Sequence, residues 1–160
     1  MKAPFPQRKS PRLKDYDYSE SGAYFITICT HQRQYLFGAI QSERMFLSSF
    51  GEFAVACWDV IPDHYADVEL DGFVIMPNHV HGIIVFPGRS DFKTILGRVV
   101  NGYKGAVTAR IRQAQPGLIV WQRGYHDHII RNDADLNRLR EYIENNPAKW
   151  EADKFYETGQ

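Results

Sequence analysis

Apolar and polar positions along the chain follow two different spacings, which predict strands and helices in a definite order. Five runs rich in aromatic and β-branched residues predict strands, and they lie at residues 24–30, 68–76, 80–86, near 118–121 and at 126–130. Pro77 and Asn78 separate the second and third runs and form a turn signal. These two runs are therefore expected to pair as a hairpin.

Three other stretches place apolar residues at intervals of three and four, which predicts helices with one buried stripe each. They lie at residues 43–61, from Asp91 as a cap to about residue 113, and from Asp133 or Asp135 through residue 145. The longer elements follow the order β-α-β-β-α-β-α. This order predicts an α+β fold of the ferredoxin-like (split βαβ) type, an antiparallel sheet with helices on one face and an added C-terminal helix. Such folds serve binding proteins and enzymes alike, so individual residues have to indicate the function.

Length and composition fit a single domain over residues 1–160, of which residues 1–20 form a basic, proline-bearing arm. No run reaches the ~20 apolar residues of a membrane span, and the N-terminus lacks a signal-peptide core, so a cytoplasmic protein is expected. Cys29 and Cys57 lie far apart in apolar runs. This placement predicts two small core residues rather than a disulfide or a zinc site.

Charge is segregated along the chain, although the formal net charge is zero. Residues 1–14 carry five basic and no acidic side chains, whereas residues 43–71 carry seven acidic and one basic. Residues 91–131 carry seven basic side chains and two acidic ones. This distribution is compatible with one positive face for phosphate groups, and equally with solvated helix faces and a solvated tail. Charge alone therefore does not identify a partner.

His79 and His81 flank Val80 at the start of a predicted strand. Because strand side chains alternate between the two faces of a sheet, both imidazoles are expected on one face and Val80 on the other. Two neighbouring imidazoles form a bidentate clamp for a metal ion. The alternative is a pair of exposed or hydrogen-bonded histidines at a turn.

Tyr142 and Asn146 lie one turn apart on the last predicted helix. At about 100° per residue they are about 40° apart around the axis, beside the apolar stripe rather than opposite it. They can therefore project into a site on the sheet. The alternative is a half-buried tyrosine at the edge of the core and an asparagine at the helix end, and helix geometry alone favours that alternative.

Four blocks of the sequence, taken in order, resemble the single-tyrosine HUH transposases, and among them the REP-associated tyrosine transposases. The blocks are residues 24–30, residues 77–82 (PNHVHG), residues 121–131 and residues 142–147 (YIENNP). The likeness spans residues 15–150, and four ordered blocks are more specific than any one of them.

The resemblance implies roles for the residues that match. His79 and His81 would be the paired metal histidines, Asn146 a third, amide ligand, and Tyr142 the nucleophile. The implied activity is metal-dependent cleavage and rejoining of single-stranded DNA, folded as a hairpin near a repetitive extragenic palindrome, through a 5′-phosphotyrosine intermediate. The metal would be Mg²⁺ or Mn²⁺. Imidazole ligands suit Zn²⁺ or Mn²⁺ better than Mg²⁺, so the identity of the metal rests on the resemblance.

Candidate DNA contacts follow from the implied substrate. Basic side chains are candidates for phosphate contacts, and two aromatic ones for base stacking, which contributes ~1–3 kcal/mol per base. The basic candidates are Arg8, Lys9, Arg12, Lys93, Arg98, Lys104, Arg110, Arg112, Arg123 and Arg131, and the aromatic ones are Trp121 and Tyr125. Each basic residue is equally compatible with a solvated surface charge, and each aromatic residue with a buried anchor.

Other residues and other functions compete with this interpretation. His126 and His128 form a second alternating pair, which would be the metal clamp, line the DNA path or support the ligands. Tyr103 lies in an apolar helical stripe and is expected in the core rather than as the nucleophile. A non-cleaving module that binds hairpin DNA or RNA, and a hydrolase of another phosphate ester, are the alternative functions. The chain is expected to act as a monomer or a homodimer.

Overall fold

A computed structural model describes residues 22–87 and 93–156 of the chain. For residues 93–95 it describes the backbone and not the side chains. Several predicted features lie outside the described residues, namely the basic arm with Arg8, Lys9 and Arg12, the cap Asp91 and the side chain of Lys93.

Six strands and four α-helices occur in the described part of the chain. They are β1 (Gly22–Cys29), β2 (Gly38–Gln41), β3 (Arg44–Leu47), α1 (Ser49–Asp59), α2 (Ile61–His64), β4 (Glu69–Met76), β5 (His79–Phe86), α3 (Lys93–Ala114), β6 (His126–Ile130) and α4 (Asp133–Asn145). Two short 3₁₀ helices cover His31–Arg33 and Pro147–Ala152. No helix among the described residues is both long enough and apolar enough to cross a membrane.

Four of the strands form one antiparallel sheet in the order β4-β5-β1-β6, and β2 and β3 form a separate hairpin. α1 and α3 pack on one face of the sheet, against Ile26, Ile28 and Ile84. α4 packs on the opposite face, against Ile83 and Val85. The predicted α+β architecture, with an added C-terminal helix, is confirmed.

The predicted helix over residues 43–61 is wrong in its first turn, because those residues form strand β3. Ser42 and Glu43 have positive φ angles of 50° and 62°, which is the backbone of a two-residue hairpin turn. The helix begins only after Ser48, whose Oγ accepts a hydrogen bond from the backbone N of Gly51 at 3.1 Å. Phe46 therefore lies in a strand despite its helical spacing, because of the turn at Ser42 and Glu43 and the helix cap at Ser48.

The predicted strand near residues 118–121 is reduced to a single bridge between Thr30 and Trp121. Backbone bonds from His31 to Val120 and from Gln122 to Cys29, both 2.9 Å, attach this segment to the end of β1. No longer ladder forms because β1 ends there and the chain turns into a 3₁₀ helix.

Close packing behind β5 depends on Gly82, which follows the second histidine. A Cβ atom at this position would lie 2.3 Å from Cη2 of Trp58, whose side chain is fully buried. Glycine therefore lets the indole of Trp58, on α1, approach closely the strand that carries the histidines.

Candidate active site

The register of β5 against β1 places His79 and His81 on the face of the sheet that α4 covers. His79 pairs with Cys29 and His81 with Thr27, and both histidines are buried, at 0% and 2% exposure. Their rings are 4.6 Å apart between centroids. The expectation that both imidazoles share one face is confirmed.

Each imidazole is held through its Nδ1 atom. Nδ1 of His79 lies 2.8 Å from Oδ1 of Asn78, and Nδ1 of His81 lies 2.8 Å from Oγ1 of Thr27. Because an amide oxygen only accepts, Nδ1 of His79 carries the proton, and its Nε2 presents a lone pair. Such a bond at the second nitrogen typically orients a metal-binding histidine.

Three buried atoms at this site lack a hydrogen-bond partner, and they belong to the three predicted ligands. They are Nε2 of His79, Nε2 of His81 and Oδ1 of Asn146. Buried polar atoms are almost always paired, and imidazole nitrogens and amide oxygens are common metal ligands. The residues present therefore fit a divalent metal ion.

Burial also keeps both histidines neutral. It lowers the pKa of His79 well below its usual value, with the neighbouring His81 as the next cause. It lowers the pKa of His81 to about 3, and the positive charge of Lys154 acts in the same direction. Neutral imidazole is the form that binds metals, so the site does not have to lose protons near neutral pH before an ion binds.

α4 brings Tyr142 and Asn146 to the histidines of the same chain. The ring of Tyr142 is 5.3 Å from that of His81 and 6.0 Å from that of Phe25, both edge to face. Tyr142 is 40% exposed, whereas Asn146, one turn later, is 3% exposed. Burial raises the pKa of Tyr142, while the Asn146 side chain acts in the opposite direction.

A buried ion pair, which sequence reasoning missed, holds α4 on the sheet. Nε of Arg140 donates to Oδ1 of Asp71 at 2.8 Å, and Nη2 of Arg140 donates to Oδ2 of the same carboxylate. The two side chains are 10% and 0% exposed. Asp71 lies where β4 departs from regular pairing, between Leu70 and Phe73. No local sequence signal joins two residues 69 positions apart.

The segment after α4 also reaches the histidines, which the sequence did not predict. The ring of Phe155 is 4.3 Å from that of His79, and the carbonyl oxygen of Phe155 accepts a 2.8 Å bond from Nδ2 of Asn78. Oδ2 of Asp153 is 4.0 Å from Nε2 of His79. Within the described residues, no three His, Cys, Asp or Glu side chains are placed to hold a metal by themselves.

The second histidine pair lies at the exposed edge strand β6. Nε2 of His128 is bonded to Oδ2 of Asp135 at 2.8 Å, which ties β6 to the first turn of α4. His126 pairs with Thr27, which also pairs with His81 on the other side of β1. These histidines therefore lie one strand away from the buried pair.

The core assignments made from the sequence are confirmed. Tyr103 is 3% exposed, and its hydroxyl donates to the carbonyl oxygen of Ala54 at 2.9 Å. Cys29 and Cys57 are both buried, and burial raises the pKa of each thiol.

The predicted DNA contacts on α3 lie across the sheet from the histidines. Exposed side chains among them are Arg98, Arg110 and Arg112 on α3, and Arg123 and Arg131 on either side of β6. Nζ of Lys104 donates to the carbonyl oxygens of Gln122 and Gly124, at 3.1 and 2.9 Å.

The two aromatic candidates lie near the same loop. Trp121 and Tyr125 are both half-buried and pack against the core of α1 and α3. Nε1 of Trp121 donates to the carbonyl oxygen of Lys104 at 3.0 Å. Lys104 on α3 and the loop of residues 121–125 before β6 are therefore hydrogen-bonded to each other and lie on the same surface.

Fold and site together define a small α+β protein with paired histidines and a tyrosine on a C-terminal helix. The sequence profile described as IS200-like transposase matches residues 19–146, most of the chain. The protein belongs to the IS200-like transposase family, which confirms the resemblance drawn from the four sequence blocks.

Individual relatives agree with this family. An uncharacterised protein of Haemophilus influenzae is 39% identical over 168 aligned positions, 93% of each chain. A second protein of that organism, named as a candidate REP-associated tyrosine transposase, is 24% identical over 140 positions, 83% of this chain and 74% of its own. A solved structure described as a REP-associated tyrosine transposase bound to a REP hairpin superposes with a TM-score of 0.61 at 23% identity, over 89% of this chain and 74% of its own. This last likeness concerns the fold.

Proposed function

We propose that this transposase cuts and rejoins single-stranded DNA that carries a hairpin, with Tyr142 as the nucleophile and a divalent metal at His79, His81 and Asn146. The observation that carries the proposal is that Nε2 of His79, Nε2 of His81 and Oδ1 of Asn146 are buried without a hydrogen-bond partner, while the ring of Tyr142 lies 5.3 Å from that of His81. The metal would be Mg²⁺ or Mn²⁺. When bound, it would polarise the scissile phosphate and neutralise the charge on its oxygens.

The residues of the chain have separate parts in this reaction. Asn78 and Thr27 hold the two histidine rings through their Nδ1 atoms, which leaves the Nε2 atoms for the metal. The oxygen of Tyr142 bonds to phosphorus as the bond to the 3′ oxygen breaks, which leaves a 5′-phosphotyrosine and a free 3′-hydroxyl. The phenolic proton has to leave first, because burial keeps the pKa of Tyr142 above its ordinary value. Attack of a 3′-hydroxyl on the phosphotyrosine reverses the step and rejoins the strand.

The hairpin would be bound outside the reacting centre. We assign phosphate contacts to Arg98, Lys104, Arg110, Arg112, Arg123 and Arg131, and to Lys93, Arg8, Lys9 and Arg12 beyond the described side chains, with Trp121 and Tyr125 stacking on bases. A relative bound to a REP hairpin supports this class of substrate. The 5.3 Å contact of Tyr142 with His81 of its own chain supports a monomer that completes its own site. We expect this monomer to work in the cytoplasm as one domain.

The test is a covalent adduct between the protein and DNA. A labelled strand containing a palindromic hairpin is incubated with Mn²⁺ or Mg²⁺ and separated on a denaturing gel, and the modified residue is located by mass spectrometry. The wild-type protein is expected to form the adduct and Tyr142→Phe to form none.

Three outcomes would contradict the proposal in different ways. An adduct that persists in Tyr142→Phe would reject the nucleophile. Cleavage by water with no adduct would indicate a hydrolase. Tight hairpin binding without cleavage would indicate a binding module.

A further inference from the structure

Two exposed cations, Arg33 and Lys154, lie close to the buried histidines, although neither was predicted as a DNA contact from the sequence. Cζ of Arg33 is 5.6 Å and Nζ of Lys154 is 5.1 Å from the centroid of the Phe155 ring, which is within the range of cation–π contacts. The Phe155 ring is itself 4.3 Å from the ring of His79. Both cations therefore lie at most about 10 Å from the centre of the His79 ring.

One buried amide ties the backbone of both cations to the histidine. Nδ2 of Asn78 donates to the carbonyl oxygen of Arg33 at 3.4 Å and to that of Phe155, which follows Lys154, at 2.8 Å. Oδ1 of the same side chain holds Nδ1 of His79 at 2.8 Å. Arg33 has a φ angle of 54°, a conformation that a residue other than glycine keeps only where its surroundings hold it. The fold therefore fixes where these two cations leave the backbone relative to the histidine.

We propose that Arg33 and Lys154 bind the phosphates next to the reacting one in the single strand, an inference that rests on the substrate in the proposed function. One strand of DNA carries a charge every ~3.4 Å along its axis, so 10 Å corresponds to about three nucleotides. The arginines of α3 are placed for another part of the DNA, because α3 packs on the opposite face of the sheet from α4. The neighbouring carboxylate of Asp153 is 5% exposed and accepts a 2.8 Å bond from the backbone N of Phe155, whereas both cations are open to a strand in solvent.

The test compares a labelled hairpin that has a single-stranded tail with the same hairpin without the tail. Fluorescence anisotropy measures the affinity of the full chain at several KCl concentrations and constant Mn²⁺, with Tyr142→Phe present so that no strand is cut. Arg33→Gln and Lys154→Gln should each weaken binding of the tailed hairpin about two- to fivefold at low salt. Each should also make the slope of log affinity against log salt shallower by about 0.7, the value for one phosphate contact to a single strand. Lys149→Gln is the matched control, because it removes one exposed positive charge from the same segment, and it should change neither quantity.

The outcomes separate this inference from the proposed function. If the wild-type protein forms the DNA adduct but Arg33→Gln and Lys154→Gln keep the slope of Lys149→Gln, the strand contacts are overturned and the proposed function stands. Shallower slopes in a protein that forms no adduct support the strand contacts and reject the tyrosine chemistry. Equal weakening of the tailed and untailed hairpins overturns the placement on the single strand. Arg33→Lys and Lys154→Arg keep the charge and should keep the wild-type slope, so a loss in these variants would also overturn the contacts.

Discussion

Replacing Asp71 by asparagine should destabilise the protein and displace the tyrosine helix together. The substitution keeps the size of the side chain but removes the negative charge that Arg140 of α4 contacts through two nitrogens. Arg140 lies two residues before Tyr142 on the same helix. Because the pair joins α4 to β4 across the sheet face that carries the histidines, its loss acts on both folding and the site.

The expected magnitude follows from the burial of the pair. Breaking a buried ion pair by removing one partner costs about 3–5 kcal/mol, since the remaining charge loses its partner away from water. With Asp71 at 0% and Arg140 at 10% exposure the pair belongs in that class. Arg140 makes further contacts, so we expect the lower end, about 3 kcal/mol. For a chain of this length, about 2–4 °C per kcal/mol gives a fall in Tm of about 6–12 °C.

Thermal unfolding followed by circular dichroism measures this shift, with Asp67→Asn as a control that removes an exposed carboxylate. The double variant Asp71→Leu with Arg140→Met should recover part of the loss, because apolar side chains of similar size replace the buried charges. A Tm for Asp71→Asn within about 2 °C of the control would refute the reasoning, since exposed substitutions cost little.

Three further predictions follow from the same structure. Gly82→Ala should lower the free energy of unfolding by about 1–3 kcal/mol, because its Cβ would overpack Trp58. Gly105→Ala, which has no atom within 4 Å of its new Cβ, should stabilise α3 by up to about 1 kcal/mol. Chemical denaturation measures both variants, and equal effects would contradict the packing. The metal-free protein should lose stability as the pH falls below about 6.5, because His81 takes up a proton there in the unfolded chain, while burial holds its pKa at about 3 in the folded chain. His81→Gln should reduce the dependence of the unfolding free energy on pH, measured by denaturation curves between pH 6.5 and 4. An unchanged dependence would reject His81 as its cause. His126→Ala and His128→Ala should keep Mn²⁺ binding, and loss of binding in either would favour the second pair as the clamp.

Local patterns predicted the parts of the fold and site that local geometry determines. Alternation along β5 places His79 and His81 on one face, and the spacing of one helical turn places Tyr142 and Asn146 side by side. The hairpin of β2 and β3 was missed, because Phe46 continues the helical spacing of α1. The positive φ angles at Ser42 and Glu43 and the helix cap at Ser48 decide against a helix there.

Contacts between distant segments could not be predicted in this way. Asp71 and Arg140 are 69 positions apart, and nothing near either residue marks the other. Asn78 was interpreted only as a turn residue, although its side chain links His79 to Phe155. The residues after Pro147 have no strand or helix periodicity, so their return to the histidines depends on two of their own side chains, Trp150 and Phe155, which pack in the core between α4 and the sheet.

Tyr142 and Asn146 lie one turn apart on α4 but differ in exposure. On the proposed function, this difference would restrict when the protein cleaves DNA. Asn146 is 3% exposed, whereas Tyr142 is 40% exposed. On the proposed function, a strand approaching from solvent would therefore meet Tyr142 before the metal ligands. Burial raises the pKa of Tyr142, so its phenol stays protonated at neutral pH unless positive charge gathers beside it. On the proposed function, the attacking phenolate forms only when the site is loaded, and DNA bound to the metal-free protein stays uncut.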